Sequence, residues 1–225
     1  MSTRLDVEQM QVQALSDVAS QPASATFYGR IGKRFLDLAI AIPLMILATP
    51  LILLLAGAVV LTSGPGPFYG SVRAGRNGRF RMLKLRTMVR DADKVLAQWR
   101  RAHPELAAIY EKDFKLADDP RVTWLGKVLR RTSLDELPQL WNVIVGDMSL
   151  VGPRPVNEDE LGKYGSRAEE LLTAKPGLTG RWQISGAMRA PYPERIYIEL
   201  GYCRTFSFID DLRILLITLA VPLRG

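Results

Sequence analysis

Cysteine and histidine are almost missing from this chain: one of each occurs in 225 residues. Cys203 alone cannot close an intrachain disulfide, and its place between Tyr202 and Arg204 reads as packing. His103 stands before Pro104 in a polar, helix-like stretch. That leaves no histidine pair for acid–base catalysis and no zinc ligand set. Aromatic residues are scarce, at 8% of the chain, and they are not interleaved with the basic clusters. A stacking platform for single-stranded nucleic acid is therefore not supported, and no nucleic acid is expected as a partner. Residues 1–30 carry Asp6, Glu8 and Asp17 and lack a compact apolar core, so they do not read as a secretory signal. Their Gln, Ser and Ala content predicts a mostly disordered cytoplasmic tail, with at most a helical turn around Val7–Val18.

What is present is positive charge and one long apolar run. The net charge is +7 and the isoelectric point about 9.7, a balance suited to lipid headgroups or phosphorylated substrates. Leu38 to Thr62 carries no charge and is long enough to enter a bilayer. Pro43 and Pro50 interrupt it; each removes a backbone donor, which predicts a kink or break, with the Thr49 hydroxyl placed to satisfy a carbonyl freed near Pro50. Hydropathy alone favours a single span. Basic residues on both flanks (Lys33 and Arg34 before it, then Arg73, Arg76, Arg79, Arg81, Lys84 and Arg86) favour both ends on one face, a re-entrant path. Lys33 and Arg34 are expected to meet lipid phosphates. Ser63 to Pro67 is a breaker cluster that ends the segment.

Beyond it, Phe68 to Met88 reads as strand, turn, strand about Gly75-Arg76-Asn77-Gly78. Val89–Tyr110 reads as a charged helix and Trp124–Arg131 as a short basic one. Residues 157–175 and 193–209 read as helical, 175–180 as a turn-rich loop, and Leu212–Leu223 as an apolar interfacial or core helix too short to span. Trp141 and Trp182 read as core or membrane-facing aromatics. The layout is then a tail (1–30), a membrane element (31–63) and a cytoplasmic or interfacial domain (64–225).

The run from Arg130 to Pro155, RRTSLDELPQLWNVIVGDMSLVGPRP, carries the chemistry. The adjacent carboxylates Asp135 and Glu136 lie between Arg130-Arg131 and Pro153-Arg154-Pro155. Arginine forks hold phosphate oxygens, and carboxylates hold a divalent ion or attack phosphorus. Ser133 is expected to cap a helix running from Leu134 to about Val145, with the two acids in its positive first turn. Pro153 and Pro155 restrict the backbone on either side of Arg154 and so aim its fork.

The motifs KRFLDL, GRNGRFRMLKLRTM, DDPRVTWLGKVLRRTSLDELPQLWNV, GDMSLVGPRP and KPGLTGRWQISG, in that order, resemble the bacterial sugar transferases, the small monotopic phosphoglycosyl transferases. The resemblance runs from about Lys33 to Leu219, and DDPRVT and PRPVNEDEL look most like the galactosyl-phosphate transferases of exopolysaccharide synthesis. It implies an α+β, mostly helical fold with a re-entrant membrane helix-break-helix, a small β-hairpin and amphipathic interfacial helices around a cytoplasmic catalytic core. The break falls at Thr49-Pro50, and the protein lies on the cytoplasmic face of the bacterial inner membrane, among its lipids.

The implied reaction moves a hexose 1-phosphate, galactose or glucose, from a UDP-sugar to undecaprenyl phosphate, with Mg2+ and with release of UMP. Asp135 is then the nucleophile that forms a covalent phosphosugar intermediate. Glu136 is its helper, and both acids are the expected magnesium ligands. Arg130 and Arg154 are the expected phosphate binders, then Lys84 and Arg86. The sequence departs from the family pattern at Ser71-Val72, Arg181, Ala187 and Glu199, in stretches expected to shape donor binding. Two other classes compete: a membrane scaffold that has lost catalysis, favoured by those departures alone, and a basic nucleic-acid binder, resting on charge alone. A homodimer would cover the apolar C-terminal segment.

Overall fold

The computed structural model describes residues 23–103, 105, 119–185 and 192–220. The expected tail lies outside the described residues up to position 22. Ala23–Ala25 then forms a 3-10 turn, and Tyr28–Gly32 a π-helical turn that runs into the long helix α1, Lys33–Ser63. The hairpin strands β1 (Phe68–Gly75) and β2 (Gly78–Leu85) follow. After them come helices α2 (Ala92–Ala102), α3 (Trp124–Thr132) and α4 (Gln139–Val145). Strand β3 (Ser149–Val151) precedes short helices α5 (Glu158–Gly162) and α6 (Ala168–Leu171). Strand β4 (Gly177–Thr179), the turn α7 (Arg181–Ile184), α8 (Tyr192–Thr205) and α9 (Phe208–Ala220) complete the described chain. The fold is mostly helical, with an antiparallel hairpin as read from the sequence.

Helix α1 holds both prolines and stays helical through them for 31 residues, so Thr49-Pro50 does not end one helix and begin another as expected. Pro50 has no N–H for the Ile46 carbonyl. The Thr49 hydroxyl donates to the neighbouring Met45 carbonyl at 2.6 Å, so the expected hydroxyl rescue is displaced by one residue. The segment Tyr28–Ser63 is long and apolar enough to cross a membrane. Many of its large side chains stand in the open, Leu47, Leu54 and Leu61 among them.

The chain divides into two compact units. One is drawn from Met1–Ile42, Val72–Phe80 and Asn142–Gly225, the other from Pro43–Ser71 and Arg81–Trp141. The second unit has its core where Ala56 and Val59 of α1 meet Leu85 of β2 and Leu129 of α3, with Leu125 and Leu134 alongside. Burying each such aliphatic side chain contributes roughly 1.5–3 kcal/mol. In the first unit, β3 and β4 pair in parallel, with Ser149 opposite Gly177 and Val151 opposite Thr179. The stretch 175–180, expected as a loop, is therefore partly a strand. The strand's three-residue length and its glycine hide the alternation that marks longer strands.

The first unit also buries polar groups that the sequence assigned to lipid. Lys33 is 7% exposed. Its ammonium donates to Asp211 at 2.5 Å and to the Tyr202 hydroxyl at 2.9 Å. Arg34 donates to the carbonyls of Val143 and Ile144, both at 2.6 Å, and so caps the end of α4. Asp37 accepts the Ser149 hydroxyl and the Leu150 N–H, both at 2.9 Å. The KRFLDL segment thus ties the start of α1 into protein, because its polar side chains find internal partners before they reach a headgroup. Cys203 is buried as expected, and burial pushes its thiol up to about 12. The apolar C-terminal helix begins earlier than expected, at Phe208, where the Ser207 hydroxyl accepts the N–H of Asp210 at 3.3 Å.

Candidate active site

Lys84, Arg86, Arg130, Asp135 and Glu136 all belong to the second unit. Helix α3 starts at Thr123, whose side chain accepts the Gly126 N–H at 2.9 Å. Gly126 lies hard against β2's exit: a Cβ there would sit 2.0 Å from the Thr87 carbonyl oxygen. That contact lets Arg130, one turn on, donate from Nε to the Thr87 hydroxyl at 2.9 Å. Its two terminal nitrogens form no hydrogen bond with the described residues, so the fork is open to an anion.

Helix α3 ends at Ser133, the only non-glycine residue with positive φ (56°) among those described. Ser133 is the C-cap of α3, donating its N–H to the Arg130 carbonyl at 3.3 Å, and its side chain caps nothing. The expected Ser133-capped helix is thus corrected. The acids ride a 3-10 turn, Leu134–Glu136, and α4 begins only after Pro138, whose ring supplies a helical φ and no donor. A turn this short carries little dipole, so the helix end is not what steadies the carboxylates. A side chain does so instead: Lys84 of β2 donates to Glu136 Oε1 at 2.5 Å.

Asp135 is 6% exposed, whereas the side chain of Glu136 is 40% exposed. Burial holds the Asp135 carboxyl above the usual range; Lys84 pulls it back down, Glu136 pushes it up, and Arg130 lowers it. Neighbouring carboxylates in such different settings can divide their labour, one buried, the other open to water. Gln139, in the same LDELPQ motif, is 3% exposed, and its Nε2 finds no acceptor among the described residues. A buried donor without a partner is costly, which marks this motif as built to meet something further.

Arg86 has another task from the one expected. Its guanidinium donates to the carbonyls of Ser63, Gly64 and Pro65 at 2.6–2.9 Å. It closes the C-terminal end of α1, where backbone acceptors lack helical partners.

Pro153, Arg154 and Pro155 belong to the first unit. The Pro153 carbonyl accepts the Gly177 N–H at 2.8 Å, which ties the segment to β4. The Arg154 guanidinium lies 5.6 Å from the centre of the Trp182 ring, and Arg195 lies 4.6 Å from the same centre. Trp182, read as a core or membrane-facing aromatic, is buried, and it also orients Arg154 by a cation–π contact. Arg195 is itself held by Glu199 at 3.2 Å, and Glu199 accepts the Tyr164 hydroxyl at 2.7 Å. Glu199, a departure from the family pattern, thus has a structural occupation. Sequence reading missed the Arg154–Trp182, Arg195–Trp182 and Tyr164–Glu199 contacts because they pair residues far apart in the chain.

The donor set suits magnesium of one kind only. Among the described residues no group of three or more acidic, histidine or cysteine side chains could cage an ion. Two adjacent carboxylates, Asp135 and Glu136, one of them wet, fit an ion held by one or two carboxylates plus substrate phosphates.

The chain matches known proteins over almost all of the described residues. It is 47% identical over 192 residues to the exopolysaccharide production protein ExoY of Sinorhizobium fredii, covering 85% of each chain. It is 44% identical over 196 residues to an undecaprenyl-phosphate galactose phosphotransferase of Salmonella typhimurium, with 87% of this chain and 41% of that protein covered. The chain thus spans less than half of that longer relative. It is 40% identical over 197 residues to a UDP-glucose:undecaprenyl-phosphate glucose-1-phosphate transferase of Caulobacter vibrioides, covering 83% of this chain and 67% of the other. The family profile described as bacterial sugar transferase matches residues 28–225, and the chain belongs to that family.

Proposed function

We propose that this protein transfers a hexose 1-phosphate from a UDP-sugar to undecaprenyl phosphate, the first membrane step of exopolysaccharide synthesis. The observation that carries the reading is the buried Asp135 carboxylate, set beside a Lys84–Glu136 ion pair and the open fork of Arg130. The names of the galactose and glucose relatives support the substrate classes.

In the proposed reaction an Asp135 carboxylate oxygen attacks the β-phosphorus of the UDP-sugar. The new oxygen–phosphorus bond forms as the bond to the bridging oxygen breaks, and UMP leaves with that electron pair. A phosphate oxygen of undecaprenyl phosphate then attacks the same phosphorus, and the carboxylate leaves unchanged. Dividing the transfer in two means the soluble donor and the lipid acceptor need not be bound together. Asp135 needs its ionised form, which Lys84 and Arg130 favour against the cost of burial. Arg130 offers free N–H groups to phosphate oxygens whose charge grows as UMP departs. The GPRP motif makes Arg154 the further candidate for a phosphate binder, and within its own unit Trp182 steadies it. Asp135 and Glu136 would hold magnesium, whose contribution is to neutralise diphosphate charge.

The exposed apolar surface of α1 and the basic residues on both its flanks support a re-entrant seat in the cytoplasmic face of the inner membrane. The exposed Phe208, Ile209, Leu212, Leu216 and Leu219 of α9 give that helix an apolar face suited to a lipid surface.

The test is UMP release by nanodisc-held protein given UDP-galactose, UDP-glucose and related donors with magnesium, with and without undecaprenyl phosphate. Release dependent on the lipid and on one sugar is the expected outcome. Folded protein that releases UMP from no donor would overturn the reading in favour of a scaffold.

A further inference from the structure

The first unit encloses a cleft of about 370 Å3 that the dyad chemistry does not use. Its walls come from the turn that opens the membrane segment (Arg30, Arg34), the tip of the β1–β2 hairpin (Arg76) and the residue ahead of β4 (Lys175). Asp37 also faces it, but that carboxylate is engaged by Ser149 and Leu150. Lys33 reaches it as well, with its ammonium spent on Asp211.

The cations of the cleft outnumber the acids near it: Asp37 and Asp147 both act on Lys175, but Arg30, Arg34, Arg76 and Lys175 itself stand against them. Lys175 is half-buried and forms no hydrogen bond or ion pair with the described residues. Its ammonium and the Arg34 guanidinium converge on Gly146: a Cβ there would lie 3.3 Å from Lys175 Nζ and 3.6 Å from Arg34 Cζ. Gly146 has φ of +96°, so a side chain is disfavoured at this point for two reasons, and the gap between the cations stays open. Burial, then the charge of Arg34, holds the Lys175 ammonium below its usual range. Like charges held close in a partly dry cavity are unfavourable unless an anion joins them.

We propose that this cleft binds the phosphate headgroup of a membrane lipid, with Lys175 and Arg76 as the anion's partners and Arg34, whose terminal nitrogens hold the Val143 and Ile144 carbonyls, adding positive charge beside them. The membrane side of the assignment follows from where the cleft lies. Its Gly29–Asp37 border is the opening of the apolar helix, and Phe206 supplies an apolar wall. A headgroup there would leave its chain alongside exposed aliphatic side chains of α1. If the proposed reaction holds, the lipid is the phosphorylated acceptor, and the cleft is where it waits; only this last identification rests on that reading.

The experiment titrates a short-chain polyprenyl phosphate into detergent-held protein by calorimetry, with the dephosphorylated alcohol, inorganic phosphate and UDP as separate probes. It uses an Asp135→Asn background, so that no turnover intervenes. Lys175→Gln and Arg76→Gln are each expected to weaken polyprenyl phosphate binding about tenfold, the order of one charged hydrogen bond. Lys175→Arg should retain binding, and the alcohol should bind weakly to every form. Arg76 lies exposed at a hairpin tip, so its variant will not confuse binding with misfolding. Wild-type affinity in both Gln variants overturns the proposal. A loss confined to UDP or inorganic phosphate overturns the lipid assignment and makes the cleft a site for a soluble phosphate. UMP release is scored separately on the Asp135 form of each protein. Its absence with intact lipid binding would sink the reaction and leave the cleft standing.

Discussion

Replacing Lys84 by methionine keeps the aliphatic stem and removes one charge. Lys84 bonds Glu136 at 2.5 Å, yet its side chain is 26% exposed and that of Glu136 40%. An ion pair so wetted adds only about 0–1 kcal/mol to folding. In a chain of this size that is a change in Tm of at most about 4 °C. The reaction should suffer far more. Lys84 supplies charge beside the buried Asp135 and holds its carboxyl down against burial. A charge-assisted bond is worth about 1.5–3 kcal/mol, or roughly a 10- to 150-fold loss in kcat/KM if felt in the transition state. The acid limb of the pH–rate profile should also move to higher pH, because Asp135 becomes harder to ionise. UMP release followed across the acid and neutral range reads both effects, and Lys84→Arg should restore much of each. An unmoved acid limb at an unchanged rate would refute the role given to Lys84, whatever the melting temperature did.

Asp135→Asn should abolish UMP release without lowering Tm at neutral pH. The folded carboxyl titrates above its unfolded value, so its ionised form costs stability above that folded value, and the cost fades as pH falls through it. Melting curves of the two proteins should therefore converge on acidification. Arg86→Lys keeps the charge, but one ammonium cannot serve the Ser63, Gly64 and Pro65 carbonyls together. Losing two of three bonds costs about 2 kcal/mol or more, read as a lower Tm with little change in KM for the UDP-sugar. Gly126→Ala forces a methyl into the Thr87 carbonyl, at 2.0 Å. Overpacking of this kind costs about 1–3 kcal/mol, and because Arg130 rides the same helix, transfer should fall with it.

Local signals in the sequence carried the hairpin, the short basic helix and the long apolar helix, because each rests on neighbours in the chain. Gly75-Arg76-Asn77-Gly78 announces its own turn. The dyad was legible as a motif, but its setting was not. Ser133 looks like an N-cap by residue type, and only the geometry shows it closing the previous helix in a left-handed conformation. The Lys84–Glu136 pair joins residues 52 apart, and the Lys33–Asp211 pair residues 178 apart. No periodicity announces such distances. Lys33, Arg34 and Arg86 looked like headgroup or phosphate binders because basic residues beside an apolar run usually are, and buried acceptors claimed them first.

The pairing of β3 with β4 leaves no room between the two strands. A Cβ on Gly152 would lie 2.3 Å from the Lys175 carbonyl oxygen, and one on Gly177 would lie 2.1 Å from the Gly152 nitrogen. Gly152 in turn donates to Thr179 at 2.9 Å, and Gly177 to Pro153 at 2.8 Å. The GPRP and KPGLTG segments are therefore one mechanical part cut from two pieces of chain. Arg154 leaves one side of that splint and Lys175 the other, so the two cations share a single positional error. A change that nudges either strand miscalibrates both at once, and repair has to come from the opposite segment. An engineer who reshapes the GPRP segment at one end inherits a change in the KPGLTG segment at the other.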